Sequence, residues 1–587
     1  MPPPWLVITA VASLGAGATL ALLLPSTVPA SRAVEALRWA ARATPVLSLA
    51  AAGWCLPVVL PAGHVTVRLW AVAPGLSLGL RADSTGVVLA ILVSALAAAV
   101  TLGPTGARRT LTPVLTAAFG ALLVALGGDL LTVYAGLVLS DLGLVLGASL
   151  PLGRRILVTV ALNQATALPW LIGAVLLWSA TGSAQLVAIP PAAVAPGLAL
   201  ALLAPAGMRL SAGWALETTS ARSAGDTPHP TGWWVAVAGV PVALACLLRV
   251  LQLVGGHWPA PWVGLVLALC GAALGVGASF TAWRTRGTVG GAVQAVQVSL
   301  AAFVLAAFAL GRPTATVVGG LLGIGLLLAA ATAWPLYTWA SRPRADPRVG
   351  RLVPAALLLA GAVPPSFTAG GVVLLLGATM ATGFPDGLAT MFAVLAGLAG
   401  IPAVLGTVRG AAPGHGRPGR GLARPWPPLE AIVGGVLLAV AAVLPGAVLR
   451  YVVVPLVGSP TATASSLVTP GWLTAAVDGV AWPGGYLCGI VALVLGLWVA
   501  ARVALGPPAP ALAPARPPTG AAATPPAGEG LAPWPLAGAG RILDGWATQG
   551  HRHVPRVAEV LVRALVAYPG WLALAVGCAL AWLLVGR

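Results

Sequence analysis

The chain has 587 residues, of which 59% are hydrophobic and only 7% are charged. With a mean hydropathy of +0.96, this composition excludes a water-soluble globular domain and predicts a protein that crosses a membrane many times. The formal net charge of +18 comes from arginine, because the sequence contains no lysine. We attribute it to loop arginines that set topology and meet anionic lipid headgroups, rather than to nucleic-acid binding.

Apolar runs of about 17 to 25 residues are long enough to cross the bilayer as helices. Such runs predict about sixteen helices. Their approximate bounds are 5–24, 44–62, 85–103, 110–128, 129–150, 156–180, 193–216, 231–254, 260–282, 289–311, 315–340, 352–376, 386–408, 430–450, 483–504 and 566–585. The predicted fold class is therefore an all-α polytopic membrane protein. Arg32, Arg38 and Arg42 follow the first helix, so the positive-inside rule places the N-terminus outside.

The C-terminal region has a different composition. Residues 506–535 are dominated by proline and alanine, which predicts an extended linker outside the membrane. The following piece, 536–587, contains apolar residues at helical spacing over 537–565, with His and Arg between them. This pattern predicts an interfacial helix before a last transmembrane helix.

No cofactor or metal site is predicted from the sequence. The five cysteines lie in or beside apolar runs, with no CxxC or Cys/His spacing, so they are expected to pack as small residues. A Walker A motif is impossible without lysine, and no set of redox ligands is present. We therefore expect no catalytic residue, no metal and no cofactor.

Several stretches, in order along the chain, resemble the antiporter-like membrane subunits shared by respiratory complex I, membrane-bound hydrogenases and Mrp cation antiporters. Their order and spacing carry the resemblance over residues 80 to about 450. Asp83 matches the aspartate that enters the family's third helix, and Arg249 matches the arginine that ends its eighth. The stretches are LGLRADSTGVVLAILV (78–93), GDLLTVYAGLVLSDLGLVL (128–146), SATGSAQL (179–186), WALE (214–217), TPHPTGWW (227–234) and LLLAGAVPPSFTAGG (357–371).

The resemblance implies two inverted five-helix repeats, each with a broken helix. It places the first repeat at 110–254 and the second at 255–450, after N-terminal helices at 1–109 and before an additional helix at 451–505. Proline removes a backbone donor and clashes with the preceding turn. We therefore expect the breaks near Pro205 and near Pro364–Pro365.

The family moves protons along buried ionisable groups, and this sequence lacks them at the aligned positions. The family's fifth-helix glutamate falls on Val138, and its seventh-helix lysine falls on Pro205. The family's other titratable positions fall on Trp234, Gly239, Gly323 and Val372 in this sequence. The usual charged proton path is therefore missing.

Asp141 and Arg209 are candidates to replace the family's glutamate–lysine pair of the fifth and seventh helices. Asp141 lies three residues after Val138, and Arg209 lies four after Pro205, so each is shifted by about one helical turn. We expect the two to form a salt bridge across the fifth and seventh helices. The alternatives are a helix-end Asp141 that bonds water or a loop, and an Arg209 at the membrane boundary. Arginine does not deprotonate in proteins, so such a pair could not relay a proton through Arg209.

A few other polar residues lie in the predicted spans. Asn163, Gln164, Gln252 and Gln294 are expected to join helices by hydrogen bonds. Gln297 lies near a glutamine of the family's "YSSISQ" helix and is included, with Asp83, Asp141, Arg209 and Arg249, among the proton-path or helix-pairing candidates.

The resemblance implies a membrane-arm subunit of a complex-I-like, proton-translocating quinone oxidoreductase or related complex. It would be at most a non-redox subunit, located in a prokaryotic plasma membrane with other membrane subunits as partners. The missing charges favour a structural role over an active channel. Two alternatives remain: a stand-alone secondary transporter for a neutral or lipid-like substrate, and a membrane glycosyltransferase. The second is disfavoured because the early loops offer only Glu35 and Asp83 as acidic residues.

Overall fold

The computed structural model describes most of the first 457 residues and little after them. The described residues are 4–23, 32–103, 108–147, 153–220, 231–284, 289–340, 356, 361, 366–380, 390, 393, 394, 397, 429–457, 475–477 and 480–482. Some predictions lie outside them: most of the 386–408 helix, the helices at 483–504 and 566–585, the 506–535 linker, the 537–565 interfacial helix and the break at Pro364–Pro365.

Helices make up most of the described chain. In the first part they are α1 (Trp5–Leu23), α2 (Arg32–Ala62), α3 (Ser84–Leu102), α4 (Arg108–Ala125), α5 (Leu130–Leu146), α6 (Gly153–Thr181) and α7 (Pro196–Ser220). Next comes α8, which comprises Thr231–Trp234, a π-helical turn over Val235–Gly239 and Val240–Leu253. They continue with α9 (Pro261–Arg284), α10 (Val289–Ala309), α11 (Pro313–Ala340), α12 (Phe367–Met380) and α13 (Leu429–Val443). Finally, α14 comprises Pro445–Val448, a π-helical turn over Leu449–Val453 and Val454–Val457.

Seven described helices are long and apolar enough to cross a membrane. Their membrane-spanning parts are Trp5–Leu23, Val34–Ala62, Ser84–Leu102, Thr159–Thr181, Val235–Leu253, Pro261–Ala278 and Ala315–Ala333. Four shorter apolar helices are Leu111–Ala125, Leu130–Leu146, Val293–Ala309 and Ala431–Ala441. The chain is thus a mostly helical, multi-pass membrane protein. The total of about sixteen helices and the inverted repeats stay predictions, since the described residues cover only part of them.

The second helix is longer than predicted. It begins at Arg32, twelve residues before the apolar run at 44–62. Residues 32–43 include Ala, Leu, Glu and Arg, which all favour a helix, but the charged residues among them interrupt any apolar run. An i,i+3 ion pair joins Arg38 to Glu35 at 3.0 Å within this stretch. A search for apolar runs finds the membrane span and misses its polar extension.

An antiparallel β-hairpin follows α2, so the all-α prediction is wrong here. Strand β1 (His64–Ala73) pairs with β2 (Leu76–Asp83), and Pro74–Gly75 form the turn. Gly75 has a φ of +72°, and a Cβ there would overlap the backbone oxygen of Gly182, so only glycine fits. The β-branched and aromatic residues of HVTVRLWAVA favour a strand, whereas 64–83 was expected to be a loop. A second, short hairpin pairs β3 (Ala475–Val477) with β4 (Val480–Trp482).

The first hairpin covers one end of the bundle, which we call the hairpin end. It is held there by segments 126–130 and 182–186, which connect α4 to α5 and follow α6. Arg81 N donates to Leu126 O at 2.6 Å, and Leu186 N donates to Gly128 O at 3.1 Å. Isolated bridges join Leu80 to Gly127 and Asp129 to Gln185. The start of α3, the end of α4, the start of α5 and the end of α6 therefore meet at this end.

Helix α7 contradicts the expected break near Pro205. It is helical from Pro196 to Ser220 with Pro205 inside. Proline removes only its own backbone donor, and membrane helices tolerate this loss because neighbouring groups satisfy the freed carbonyl. The described helices contain several other internal prolines, including Pro45, Pro113 and Pro169.

Candidate functional site

The first cluster of the site, which we call the central pair, joins α5 to α7. Arg209 Nη2 lies 2.8 Å from Asp141 Oδ2, and the two side chains are 0% and 1% exposed. Asp141 follows Leu130 by eleven residues and Arg209 follows Pro196 by thirteen. At the rise of a helix, both therefore lie roughly 17 to 20 Å from the hairpin end. The structure thus brings these two predicted residues together, deep in the bundle.

Helix α6 completes the coordination of Asp141. Asn163 Nδ2 donates to Asp141 Oδ1 at 3.0 Å, and Gln164 Nε2 donates to Asp141 Oδ2 at 2.7 Å. One carboxylate thus accepts hydrogen bonds from two different helices. The sequence predicted that Asn163 and Gln164 join helices, but it gave no sign that they share Asp141 with Arg209.

Arg209 is also held by backbone carbonyls. Its Nη2 atom donates to Leu137 O at 3.2 Å, and its Nη1 atom donates to Pro205 O at 3.5 Å. A guanidinium keeps its charge in a protein. The cluster can therefore hold α5, α6 and α7 in register, but it cannot pass a proton through Arg209.

A second cluster, the outer pair, joins the start of α3 to the last turns of α8. Arg249 Nη1 donates to Asp83 Oδ2, and Arg249 Nη2 donates to Ala125 O at 2.7 Å. Arg81 Nε lies 3.4 Å from the same carboxylate oxygen. Asp83 Oδ1 also accepts a bond from Gly86 N at 2.9 Å, which makes Asp83 the N-cap of α3. Asp83 and Arg249 were predicted separately from the resemblance, and the structure places them in contact.

The electrostatics of the outer pair favour an ionised Asp83. Burial alone would raise the pKa of this carboxyl. The charge and hydrogen bond of Arg249, together with Arg81 and the Gly86 N–H, instead hold the pKa below its ordinary value. Gln252 supports the arrangement, since it accepts from Arg249 Nη1 at 3.2 Å and donates to Thr85 Oγ1 at 3.0 Å.

Asp129 is a further buried carboxylate that was not predicted as a site residue. It caps α5 by accepting from Thr132 N at 2.7 Å and from Thr132 Oγ1 at 2.8 Å. It also accepts from Gly79 N of β2 at 2.6 Å. Burial raises the pKa of its carboxyl although these bonds oppose the shift. An aspartate directly before an apolar run is an N-cap signal, so the sequence could have identified Asp129 as the residue that fixes the hairpin to α5.

Aligned family positions in α8 are filled by apolar and aromatic groups. Trp234 is fully buried, and its Nε1 atom donates to Ser140 O at 2.9 Å. A Cβ on Gly239 would lie 3.0 Å from the Trp234 ring. The indole therefore occupies the space beside Gly239 that a longer side chain there would need.

The same holds for the aligned positions of the predicted second repeat. A Cβ on Gly323 would overlap the Leu244 side chain. Val372, the other aligned position, is 3% exposed. Among the described residues, these interior positions are packed with hydrocarbon and offer no titratable group.

Gln297 does not belong to either pair. It lies on α10 with 4% of its surface exposed, and neither its Oε1 nor its Nε2 atom has a hydrogen-bond partner. The described part of the chain also contains no group of three or more His, Cys, Asp or Glu side chains that could hold a metal ion.

Comparisons with known proteins identify the fold. No family model matches the sequence, and no curated protein matches it. Solved structures do match: a chain of the Mrp complex from Dietzia sp. DQ12-45-1b has 18% identity and a TM-score of 0.59, over 83% of this chain and 99% of that chain.

Two other solved assemblies contain chains of similar structure. A chain of the membrane-bound sulfane sulfur reductase, an archaeal respiratory membrane complex, has 16% identity and a TM-score of 0.64, over 97% of this chain and 99% of that one. A chain of respiratory complex I from Thermus thermophilus has 22% identity and a TM-score of 0.55, over 75% of this chain and 98% of that one. The protein therefore has the fold of the antiporter-like membrane subunits, as the sequence resemblance predicted.

Proposed function

We propose that the protein is a structural membrane-arm subunit of a complex-I-like respiratory assembly, in which neighbouring subunits carry the protons. Matches to chains of three multi-subunit membrane complexes support the membrane-arm assignment. The origins of these complexes, two bacterial and one archaeal, support a prokaryotic plasma membrane as its location.

The observation that carries the structural role is the central pair. A proton path requires groups that gain and lose protons in turn. Here Asp141 is bound by Arg209, Asn163 and Gln164, and Arg209 cannot release a proton. The space beside Gly239 and Gly323 is filled by Trp234 and Leu244. Ion pairing and packing thus stand where the family has its charged path, which supports a structural role for the protein.

Strand β1 supplies a surface for a partner subunit. Leu69, Trp70 and Val72 are 50%, 68% and 52% exposed, although the hairpin follows the membrane span of α2. The outer edge of β1 has no paired strand in the described chain. Exposed apolar groups and open strand edges are typical of protein contacts. We assign this surface to a neighbouring membrane subunit.

The distribution of arginine supports an orientation. Arg108 and Arg109 begin α4, and Arg154 and Arg155 begin α6, so both pairs lie opposite the hairpin end. Arginine accumulates on the cytoplasmic side. We therefore place the hairpin end outside, in agreement with an external N-terminus.

Deletion of the gene, with and without a plasmid copy, tests the proposal. We expect deletion to lower the amount of a respiratory membrane assembly on native gels and the copy to restore it. An affinity tag on the chain should recover other membrane subunits of that assembly. Recovery of the chain alone, with every respiratory assembly at its normal level, would favour a stand-alone transporter.

A further inference from the structure

Two buried glutamines on α10 form a polar spot that the proposed function does not use. Gln294 and Gln297 are each 4% exposed. They stand three residues apart, so they are neighbours on one face of the helix. Helix α10 packs against α9, α11 and α7, which shields this region from lipid. Gln294 Nε2, Gln297 Nε2 and Gln297 Oε1 have no hydrogen-bond partner.

Two other buried polar side chains on α10 and α11 are satisfied within the protein. Ser299 Oγ, on the same helix, donates to Gly397 O at 3.0 Å, and Thr332 Oγ1 on α11 donates to Leu328 O at 2.7 Å. A buried amide without a partner is costly, and buried polar groups are therefore almost always bonded to protein or to ordered water. Three such atoms on adjacent side chains indicate a shared polar occupant.

The chemistry of the three unpaired atoms determines the class of that occupant. A cation could bind only Gln297 Oε1 and would leave both Nε2 groups without an acceptor. The glutamines offer two amide donors and one carbonyl acceptor, a set that matches water. We propose that Gln294 and Gln297 hold ordered water inside the predicted second repeat.

This site would keep one part of that repeat hydrated, although Gly323 and Val372 stand where the family has titratable residues. The water would bridge the two carboxamides and satisfy both, which explains why two polar side chains persist at buried positions. The inference does not depend on whether the protein assembles with other subunits.

Two measurements on the purified protein test the proposal. A cryo-EM map that resolves ordered water should show density within hydrogen-bond distance of Gln297 Oε1 and of both amide nitrogens. The variant Gln297→Met, which keeps the shape of the side chain but removes its polar atoms, should lose that density. It should also have a Tm equal to or below that of the wild type, because it removes satisfied groups.

A dry site predicts the opposite result. If the three atoms lacked partners, Gln297→Met would remove a desolvation penalty and raise the Tm by about 1 °C or more. Either the absence of density or such an increase overturns the proposal. Gln252→Met is the matched control, because the Gln252 carboxamide is bonded at both ends to Arg249 and Thr85. The Tm of Gln252→Met should fall whether or not Gln297→Met raises the Tm.

Discussion

At the scale of single residues, Arg209 depends on its neighbours. A permanent positive charge in the middle of a bundle is tolerated only beside a compensating carboxylate and further hydrogen-bond partners. Asp141 supplies the charge, and Leu137 O supplies an additional acceptor. Asn163 and Gln164 donate the remaining hydrogen bonds to the Asp141 carboxylate. Loss of any of these side chains should therefore affect the packing of α5, α6 and α7.

Replacing Asp141 by asparagine should destabilise the protein strongly. Removing one partner of a buried pair leaves an uncompensated charge and costs about 3–5 kcal/mol. The double variant Asp141→Asn/Arg209→Gln should recover part of this loss, since no charge is then left unpaired. Thermal unfolding of the wild type and of the two purified variants in one detergent measures the loss and its partial recovery.

The exposed pair on α2 provides the control for that experiment. Glu35 pairs with Arg38, but its side chain is 45% exposed. Solvated pairs contribute less than about 1 kcal/mol, so Glu35→Gln should change the Tm little. An Asp141→Asn variant as stable as Glu35→Gln would show that the central pair does not hold the bundle.

The outer pair predicts a sensitivity to acid. Because the folded-state pKa of Asp83 lies below its ordinary value, the pair stabilises the protein at pH values above about 4. That contribution is lost as the pH falls through the folded-state pKa. Asp83→Asn should remove this part of the acid sensitivity and lower the stability at neutral pH. A pH profile of the Tm that is parallel for both proteins would contradict the assignment.

At the scale of elements, the close approach of α4 and α5 depends on glycine. A Cβ on Gly136 would lie 2.6 Å from Gly120 O and 2.7 Å from Val124 N, and one on Gly143 would lie 2.6 Å from Ala117 N. These neighbours are backbone atoms, which cannot move aside as a side chain can. Small residues at such contacts allow membrane helices to pack closely.

Gly136→Ala should therefore push the two helices apart. We expect a loss of about 1–3 kcal/mol, the usual range for overpacking, and a lower yield of folded protein. Gly207→Ala is the control, because nothing lies within 4 Å of a Cβ there. That variant should be neutral or slightly more stable, since alanine favours the helix over glycine. Equal yields of the two variants would refute the tight contact.

The sequence predicted some of these elements and missed others for identifiable reasons. Apolar runs located the spans of α3, α6 and α9, because burial and lipid contact both demand hydrocarbon there. They missed the polar start of α2 at Arg32, which depends on helix propensity. They also missed the β-hairpin, which depends on strand pairing and on hydrogen bonds to 126–130. The helix break expected at Pro205 is absent, because α7 continues through this proline. The Asp141–Arg209 contact was expected from two displaced residues, whereas Asn163 and Gln164 could be assigned to it only once the helices were placed.

At the scale of the whole molecule, the exposed surface of β1 should serve assembly and not folding. Trp70→Ala should leave the Tm of the isolated chain unchanged but reduce recovery of partner subunits by the tagged chain, because buried aromatic anchors dominate interfaces. Trp54→Ala is the control, since Trp54 is 69% exposed but lies within the span of α2. Equal recovery with both variants would show that β1 is not the docking surface.

We propose that the protein holds a proton-translocating assembly together without conducting protons itself. The direct measurement is proton translocation per assembled complex in membranes from cells that carry Asp141→Asn. We expect fewer assembled complexes, because Arg209 is left uncompensated, with translocation per complex unchanged. A variant that assembled to the normal level but lost translocation would overturn this proposal and make Asp141 part of a working proton path.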